Sequence, residues 1–425
     1  MDYQQTIKYL CENLPMFHRI GPAALKNNLD NTLLLDKAFG SPHSNYKTIH
    51  VAGTNGKGSV SHFLASVLQC AGYKTGLFTS PHLKDFRERI RVDGKMIPEE
   101  DVVSFVDRFI EKNKTMQIHA SFFELTSCMA FDFFSKSGVD IAVIEVGLGG
   151  RLDSTNIITP ALSIITNISY DHTAILGNTL EKIATEKAGI IKRNIPVVIG
   201  ETQPETEKIF RDTARSQNSL IKFADQSCQV MKHDEGLFSA LSANNEFINF
   251  EVGLKGDYQQ KNLASVLTAI DSLRKGGFSI CEENIRDGLR DVTVNTGIMG
   301  RWQQIGSHPK VICDTGHNEA GIRFITRQLK NEHYKKLHVV FGMVNDKDTD
   351  SILSLLPHDA TYYFTKASVE RALDEKILQK KASDWNLMGN VYPTTPGALK
   401  AARLNADIDD LIFVGGSTFV VAEVV

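Results

Sequence analysis

The stretch Lys47 to Gln69, KTIHVAGTNGKGSVSHFLASVLQ, constrains the fold more than any other part of the chain. A β-branched run (Thr48, Ile49, Val51) leads into Gly53-Thr54-Asn55-Gly56-Lys57-Gly58-Ser59. Apolar residues then recur with helical spacing at Val60, Phe63, Leu64, Val67 and Leu68. Strand, glycine-rich turn and helix in that order make a phosphate cradle. Small residues let backbone N–H groups reach an anion, and the helix N-terminus adds its positive dipole end. The usual Walker spacing is not met: the leading glycine would fall on Val51, and Gly58 stands where Ser or Thr belongs. A tight strand-to-helix turn also calls for glycine, but not for a lysine and a serine behind it. The stretch reads as a nucleoside triphosphate site.

A chain of 425 residues exceeds one domain and predicts two or three. A formal net charge of −3, with Lys and Arg mixed among acids, argues against a nucleic-acid binder held by bulk charge. The six cysteines (Cys11, Cys70, Cys128, Cys228, Cys281, Cys313) are widely spaced without a C-x-x-C pair, and read as reduced. No signal-like h-region and no long uncharged run is seen, so a cytoplasmic protein with no membrane partner is expected.

Met1 to Ser44 reads as helical, with Leu10, Leu14, Leu29, Leu33 and Leu34 as packing residues. A second strand, Thr75 to Thr79, ends at Ser80-Pro81-His82, and Arg87 to Ile97 reads as a hairpin turning on Asp93-Gly94. A helix is predicted from Ser121 to Ser135. The apolar run Val139 to Val146 suits a parallel strand covered on both faces and carries Glu145 into the turn GLGGRLD, residues 147–153. Strand Ala161 to Thr166 leads to Tyr170-Asp171-His172. The next helix, Asn178 to Ile191, has Asn178 and Glu181 placed as cap and N3 partner, and Lys187 lies on its apolar stripe. A snorkelling stem and a buried amine with a task both fit that lysine.

A hairpin-like region spans about Ser227 to Leu254, followed by helices at Gln259 to Leu273 and Glu283 to Arg290. Small and turn-forming residues then mark a linker at 293–300. A second βα series follows, with strands at Lys310 to Cys313, Leu337 to Phe341, Thr361 to Phe364 and Leu411 to Val414. The expected architecture is therefore α/β: a doubly wound, mostly parallel P-loop domain over residues 1–292, and a smaller Rossmann-like domain over 301–425.

Ligands bind outside the carboxyl ends of strands in such sheets. The loop Gly53 to Ser59, Ser80, Glu145 and His172 each follow a separate predicted strand. Hydroxyl, carboxylate and imidazole suit a divalent ion bridged to nucleotide phosphates, Mg2+ or, given the imidazole, Mn2+. The second domain places Asp314, His317 and Asn318 after its strand ending at Cys313.

At these residues the sequence resembles the folylpolyglutamate synthase and dihydrofolate synthase family of the Mur ligase superfamily. The strings that carry the resemblance are HVAGTNGKGSV, TSPHL with ERIRVDGKMI, SFFE, EVGLGGRLDSTN, DHTAILGNTLEKIATEKAGIIK, GRW, DTGHNEAG and GMVNDKD, in order from His50 to Asp348. The resemblance implies an ATP-dependent amide ligase joining L-glutamate to dihydropteroate, reduced folates or both. It places ATP on Thr54, Asn55, Gly56, Lys57, Gly58 and Ser59, with further nucleotide contacts at Asn262, Arg301 and Asp314. It places metal on Ser80, Glu145 and His172. Lys187 matches a family lysine that is carbamylated and holds a second Mg2+. Folate contacts map to Ser121, Phe122, Phe123 and Glu124 and to Leu152, Asp153 and Ser154. Lys57, Lys187 and His317 are the expected catalytic residues, and a monomer is the expected state.

There are two departures from the family pattern: Thr315-Gly316, where Gly-Ala is common, and Met299, where proline is common. The alternatives are a Mur-type ligase of cell-wall precursors and a non-catalytic P-loop regulator. The first usually carries an extra domain ahead of its phosphate loop, and the second has no use for Glu145, Asp153, His172 and Lys187.

Overall fold

Strand β1 (Lys47–Ala52) lies at the centre of an eight-stranded sheet. The other members are β2 (Thr75–Phe78), β3 (Ile90–Val92), β4 (Lys95–Met96), β5 (Ile141–Glu145), β6 (Leu162–Ile165), β7 (Val197–Ile199) and β8 (Ile221–Phe223). Their spatial order is β4-β3-β2-β5-β1-β6-β7-β8. Every pairing from β2 across to β8 is parallel, and β3 and β4 add an antiparallel edge. Four neighbouring strands, β2, β5, β1 and β6, thus end side by side, and the loop, Ser80 and Glu145 all lie at those ends. In register, Glu145 stands beside Val51, two residues before Gly53.

The computed structural model describes residues 1–17, 21, 26–233, 236–242, 246–345 and 347–425. The chain divides into two units. The larger comprises Met1–Ser169, Thr173–Gly253 and Gln259–Gly297; the smaller comprises Tyr170–His172, Leu254–Tyr258 and Ile298–Val425. Two short excursions inside the first 292 residues therefore belong with the smaller unit, which a division at a single linker does not anticipate. The expected linker is itself partly helical, at Val292–Thr296, and ends on Gly297 with φ +65°. Small residues there pack closely rather than hang loose: Thr296 Oγ1 lies 2.8 Å from His62 Nδ1.

In the larger unit the helix Lys57–Cys70 is buried from Gly58 through Leu68. That placement explains its Ser and Ala content, because other helices must approach closely. A Cβ on Gly288, in the helix Glu282–Arg290, would lie 2.5 Å from Val67 Cα. The helix Phe122–Ser137 starts in a capping box between Ser121 and Glu124 and stops at Gly138 with φ +62°. Phe105, Phe109, Phe131 and Phe134 form the fully buried centre of one layer, each contributing roughly 1.5–3 kcal/mol by burial. The hairpin turn is as expected, with φ +45° at Asp93 and +75° at Gly94, the left-handed pair that a two-residue turn requires.

Two local expectations are corrected, the burial of Leu33 and Leu34 and the start of the helix expected from Asn178. The N-terminal segment is helical as expected, with Tyr3–Lys8 running into a π-helical turn Tyr9–Asn13, then Asp30–Ala38 and the 3-10 turn Pro42–Ser44 among the described residues; residues 18–20 and 22–25 lie outside the described set. Leu33 and Leu34 are exposed because the helix Asp30–Ala38 buries Thr32, Leu35 and Asp36, one i, i+3, i+4 face. The helix expected from Asn178 is Leu180–Ala188, capped by Thr179, whose hydroxyl accepts from Lys182 N. The region after Ser227 is a separate antiparallel sheet of β9 (Cys228–Lys232), β10 (Phe238–Ser242) and β11 (Glu246–Phe250).

The smaller unit has β12 (Gln303–Ser307), β13 (Lys310–Cys313), β14 (Leu337–Phe341), β15 (Ala360–Thr365), β16 (Gly389–Tyr392) and β17 (Leu411–Gly415). Their order is β12-β13-β17-β14-β15-β16, parallel except for β12. Phe341, Tyr362, Phe364 and Phe413 fill one face, and Val340, Tyr363, Ile412 and Val414 the other. Side chains that alternate faces on strands buried on both sides give the continuous apolar runs seen in the sequence.

Candidate active site

Gly56 caps the helix Lys57–Cys70 in a left-handed conformation, φ +85°, with no side chain capping the helix N-terminus. A Cβ there would lie 2.3 Å from Asn262 Oδ1, and one on Gly53 would lie 1.9 Å from Thr166 Oγ1. Only glycine fits at either position, and among the described residues no side-chain cap bond reaches the helix N-terminus, the geometry that receives phosphate oxygens. The loop is held from below by the residues after β6. Thr54 N donates to Asn167 O and Asn55 N to Asn167 Oδ1, both at 2.9 Å, while Thr166 Oγ1 donates to Asn55 O at 2.5 Å. On its other side Gln259 Nε2 donates to Ser59 Oγ at 3.4 Å, and Asn262 Nδ2 donates to Gln259 Oε1 at 2.7 Å.

Lys57 Nζ donates to Gly53 O at 3.1 Å and to Thr54 O at 3.2 Å. Lys187, only 4% exposed, donates from the opposite side to the same Gly53 O at 2.9 Å. The GLGG turn delivers it: a Cβ on Gly150 would lie 2.7 Å from Glu186 O and 3.0 Å from Lys187 Cα. Arg151 N also donates to Glu186 O at 2.8 Å. The apolar-stripe lysine is thus a buried amine aimed at the phosphate loop, not a snorkelling stem.

Ser80 N donates to Glu145 Oε2 at 3.1 Å, which ties two of the expected metal donors together. A hydroxyl and a carboxylate at the end of the central strands fit a hard cation. Among the described residues no three His, Cys, Asp or Glu side chains gather as a metal cage. The expected set contains only two residues of those kinds, Glu145 and His172, beside a serine and a lysine. His172 falls in the excursion that belongs to the smaller unit, with φ +50° and its Nε2 3.8 Å from Asp171 Oδ1.

Two of the expected folate contacts, Ser121 and Glu124, hold each other. Glu124 Oε2 accepts from Ser121 N at 2.6 Å, and Ser121 Oγ accepts from Glu124 N at 3.2 Å. Phe122 is buried beneath the Arg89 guanidinium, 5.2 Å from its ring centroid. Phe123 is half-buried over Gly147, where a Cβ would lie 2.4 Å from its ring. Leu152 is half-buried and Ser154 buried. Asp153 caps the short helix Ser154–Ile157, its Oδ1 accepting from Thr155 N at 3.0 Å and Thr155 Oγ1 at 2.5 Å, and its Oδ2 from Leu148 N at 2.8 Å. Burial lifts the Asp153 carboxyl above its ordinary range, although those donors favour its ionised form.

In the smaller unit, Asp314 Oδ2 accepts from Tyr258 OH at 2.6 Å and Trp302 N at 2.8 Å, and Oδ1 from Gly316 N at 2.8 Å. Burial raises its pKa; the Tyr258 hydroxyl and the Arg301 guanidinium oppose that rise. An alanine at 316 would bring its Cβ 2.6 Å from Ile325 Cδ1, so the Thr315-Gly316 departure suits this packing. His317 Nδ1 lies 3.0 Å from Thr315 O, and its Nε2 3.5 Å from Asp171 Oδ2. Asp171 also meets the Lys347 ammonium and accepts from Asn318 Nδ2 at 3.1 Å. Burial works against its charge. The His317 hydrogen bond, the neighbouring His317 and His172 imidazoles and the Lys347 ammonium outweigh that and hold Asp171 well below the usual carboxylate range.

Sequence reasoning missed Asn167, Gln259, Tyr258, Lys347 and the buried pair His50 and Thr155. Asn167 and Gln259 each stand at the end of an element beside the loop, a positional signal. Lys347 lies inside a string that marked the resemblance. His50 and Thr155 lie inside such strings as well, HVAGTNGKGSV and EVGLGGRLDSTN, but a polar side chain within a β-branched strand does not announce its partner.

The Mur ligase middle domain family matches residues 51–270, and the Mur ligase glutamate ligase domain family matches residues 300–418. The Bacillus subtilis dihydrofolate synthase/folylpolyglutamate synthase is 32% identical over 419 residues, covering 94% of each chain. The chain belongs to this family of Mur ligases. The probable bifunctional folylpolyglutamate synthase/dihydropteroate synthase of Haloferax volcanii is also 32% identical, and the chain spans half of that protein's length. Among solved structures, Escherichia coli FolC in complex with DHPP and ADP superposes with a TM-score of 0.88 at 29% identity, covering 100% of this chain and 97% of that one. A bifunctional folylpolyglutamate synthase/dihydrofolate synthase with Mn, AMPPNP and L-glutamate bound gives 0.85 at 27% identity, with the same coverage. No helix among the described residues is long and apolar enough to cross a membrane.

Proposed function

We propose that this Mur ligase spends ATP to join the amine of L-glutamate to the carboxylate of dihydropteroate and of reduced folates. The observation that carries the proposal is the convergence of Lys57 and Lys187 on Gly53 O at an uncapped helix N-terminus. A phosphate loop backed by a second, buried lysine is more than nucleotide binding needs.

A carboxylate is a poor electrophile and its oxygen a poor leaving group, and phosphorylation remedies both. A carboxylate oxygen of the acceptor attacks the γ-phosphorus of ATP, ADP leaves, and an acyl phosphate results. The free amine of glutamate attacks its carbonyl carbon, a proton is lost from nitrogen, and inorganic phosphate departs as the amide forms. Two anions must meet in the first step. Lys57, donating beside the loop, and Arg301 near Asp314 supply positive charge for that meeting.

Ser80 and Glu145 hold the divalent ion in this reading, with His172 completing the set; the ion, Mg2+ or Mn2+, neutralises phosphate charge. Lys187 as a carbamate holds a second. Its amine and carbon dioxide form an N-carboxylate with release of a proton, which turns a buried cation into an oxygen donor. Thr54 to Ser59 and Asn262 cradle the phosphates, Asp314 and His317 serve nucleotide and transfer, and the acceptor lies along Ser121 to Glu124 and Leu152 to Ser154. The domains are residues 1–292 and 301–425, apart from the two excursions. The protein acts as a cytoplasmic monomer.

The test is phosphate release with ATP, Mg2+ and L-glutamate, comparing dihydropteroate with tetrahydrofolate as acceptor. Turnover with both establishes the two-acceptor enzyme. Silence with both in folded protein removes the reading.

A further inference from the structure

We infer that His50 and Thr155 are positioning residues that fix the Asp153 carboxylate in the acceptor site. The inference rests on the reading of Asp153 as an acceptor contact. His50 lies on β1, three residues before Gly53, and is fully buried. Its Nε2 lies 2.9 Å from Thr155 Oγ1, and Thr155 Oγ1 lies 2.5 Å from Asp153 Oδ1. The direction of the chain follows from the chemistry. Asp153 Oδ1 only accepts, so the single hydroxyl proton of Thr155 goes to it, and Thr155 Oγ1 must accept from His50 Nε2–H. The imidazole is therefore the Nε2–H tautomer. Its other nitrogen, Nδ1, is buried without a hydrogen-bond partner among the described residues.

That orphaned acceptor is the argument against a purely structural role. A buried acceptor left unmatched opposes folding, and an aliphatic residue on β1, flanked by Ile49 and Val51, would avoid it. What the imidazole supplies in return is one donor, spent on Thr155. The consequence falls on Asp153, whose Oδ1 is held by two Thr155 groups while Oδ2 meets Leu148 N. With both oxygens fixed and Asp153 only 6% exposed, the rotamer is set by the strand that carries the phosphate loop. Acceptor and nucleotide are thereby referred to one rigid element, and a carboxylate set in place before binding loses little rotamer freedom when the acceptor arrives.

The experiment compares Thr155→Val, Thr155→Ser, His50→Leu, His50→Gln and Asp153→Asn in the full chain, by steady-state kinetics with acceptor and ATP varied separately. Thr155→Val, isosteric but without the hydroxyl, is expected to raise the acceptor KM about tenfold and to leave the ATP KM within about twofold. Thr155→Ser restores the wild-type value. His50→Leu gives a smaller rise of the same kind, and His50→Gln, which keeps a donor near the Nε2 position, reverses it. The inference is overturned if Thr155→Val lowers only thermal stability, if the serine variant is as impaired as the valine, or if the ATP KM rises in step. Asp153→Asn separates the two levels: no change in acceptor KM removes the reading of Asp153 and the inference with it, whereas a rise there without one in Thr155→Val removes the inference alone.

Discussion

Lys57 and Lys187 donate to one and the same oxygen, the carbonyl of Gly53, at 3.1 and 2.9 Å. Two ammonium groups sharing a single acceptor at the rim of a phosphate site repel each other, and the arrangement is relieved by anions. In the proposed reading phosphate oxygens would meet Lys57, and conversion of Lys187 to a carbamate would remove the second positive charge altogether.

Lys57→Ala is expected to abolish glutamate-dependent ATP turnover while circular dichroism and the melting temperature stay near wild type, because the side chain is half-buried and, among the described residues, bonds only to the loop carbonyls of Gly53 and Thr54. Full turnover in the variant would remove the phosphate-cradle argument.

Lys187→Ala is expected to lose at least about a hundredfold in kcat, the scale of a lost electrostatic stabiliser. Bicarbonate or a short-chain carboxylic acid should restore part of the rate, since either supplies oxygen donors to the space the carbamate fills. A mass spectrum and a crystal structure of the active enzyme showing an unmodified amine at Lys187 would count against the carbamate.

Gly56→Ala places a Cβ 2.3 Å from Asn262 Oδ1 at φ +85°. The left-handed backbone alone costs about 1–2 kcal/mol, and the clash moves Asn262 or the loop. The expected result is a lower melting temperature and ATP binding weakened by about tenfold or more by calorimetry. Gly72→Ala is the control, with φ +84° and nothing within 4 Å of the added atom. It should melt lower with ATP affinity unchanged, and equal ATP affinity in the two variants would sink the close-approach argument.

His50 gives the protein a pH dependence with a definite sign. Burial first, and then the nearby Lys192 charge, depress its folded pKa from 6.5 to about 3. Between those values the unfolded chain binds a proton that the folded chain does not, so stability falls as pH drops from 6.5 toward 3. At pH 5 the loss is about 2 kcal/mol. His50→Gln has no such proton to bind, and its urea unfolding free energy should change less between pH 7.5 and pH 5 than that of the wild type. Equal losses in both proteins would show that His50 is not held neutral.

Element types were readable where burial writes a period into the chain. Strands β1, β5, β14 and β17 are covered on both faces and appear as apolar runs, and the helix Phe122–Ser137 declares its start through Ser121 and Glu124. The loop was readable because glycine at positions 53 and 56 answers a steric demand that no other residue meets. Sequence alone did not reveal what a side chain does with its polar atoms at long range. Leu33 and Leu34 look like core until the register of their helix is known, and Thr179 rather than Asn178 caps the next helix because one residue decides which side-chain oxygen reaches Lys182 N. The apolar stripe alone leaves Lys187 open to a snorkelling stem or a buried amine, and its bond to Gly53 O decides for the second. Asp153 was found, but not the two residues behind it.

The excursions Tyr170–His172 and Leu254–Tyr258 have a bearing on how such a protein can be taken apart. Asp171 keeps its acceptor oxygens on one side of residue 297 in the sequence, while the donors His317, Asn318 and Lys347 lie on the other, and Tyr258 and Asp314 are divided in the same way. A gene cut at Gly297 therefore yields two fragments, each carrying half of a buried polar pair that neither can complete. The second half of this chain is not a cassette that recombination can lend to another protein; it travels with the turns after β6 and before Gln259, or it travels damaged.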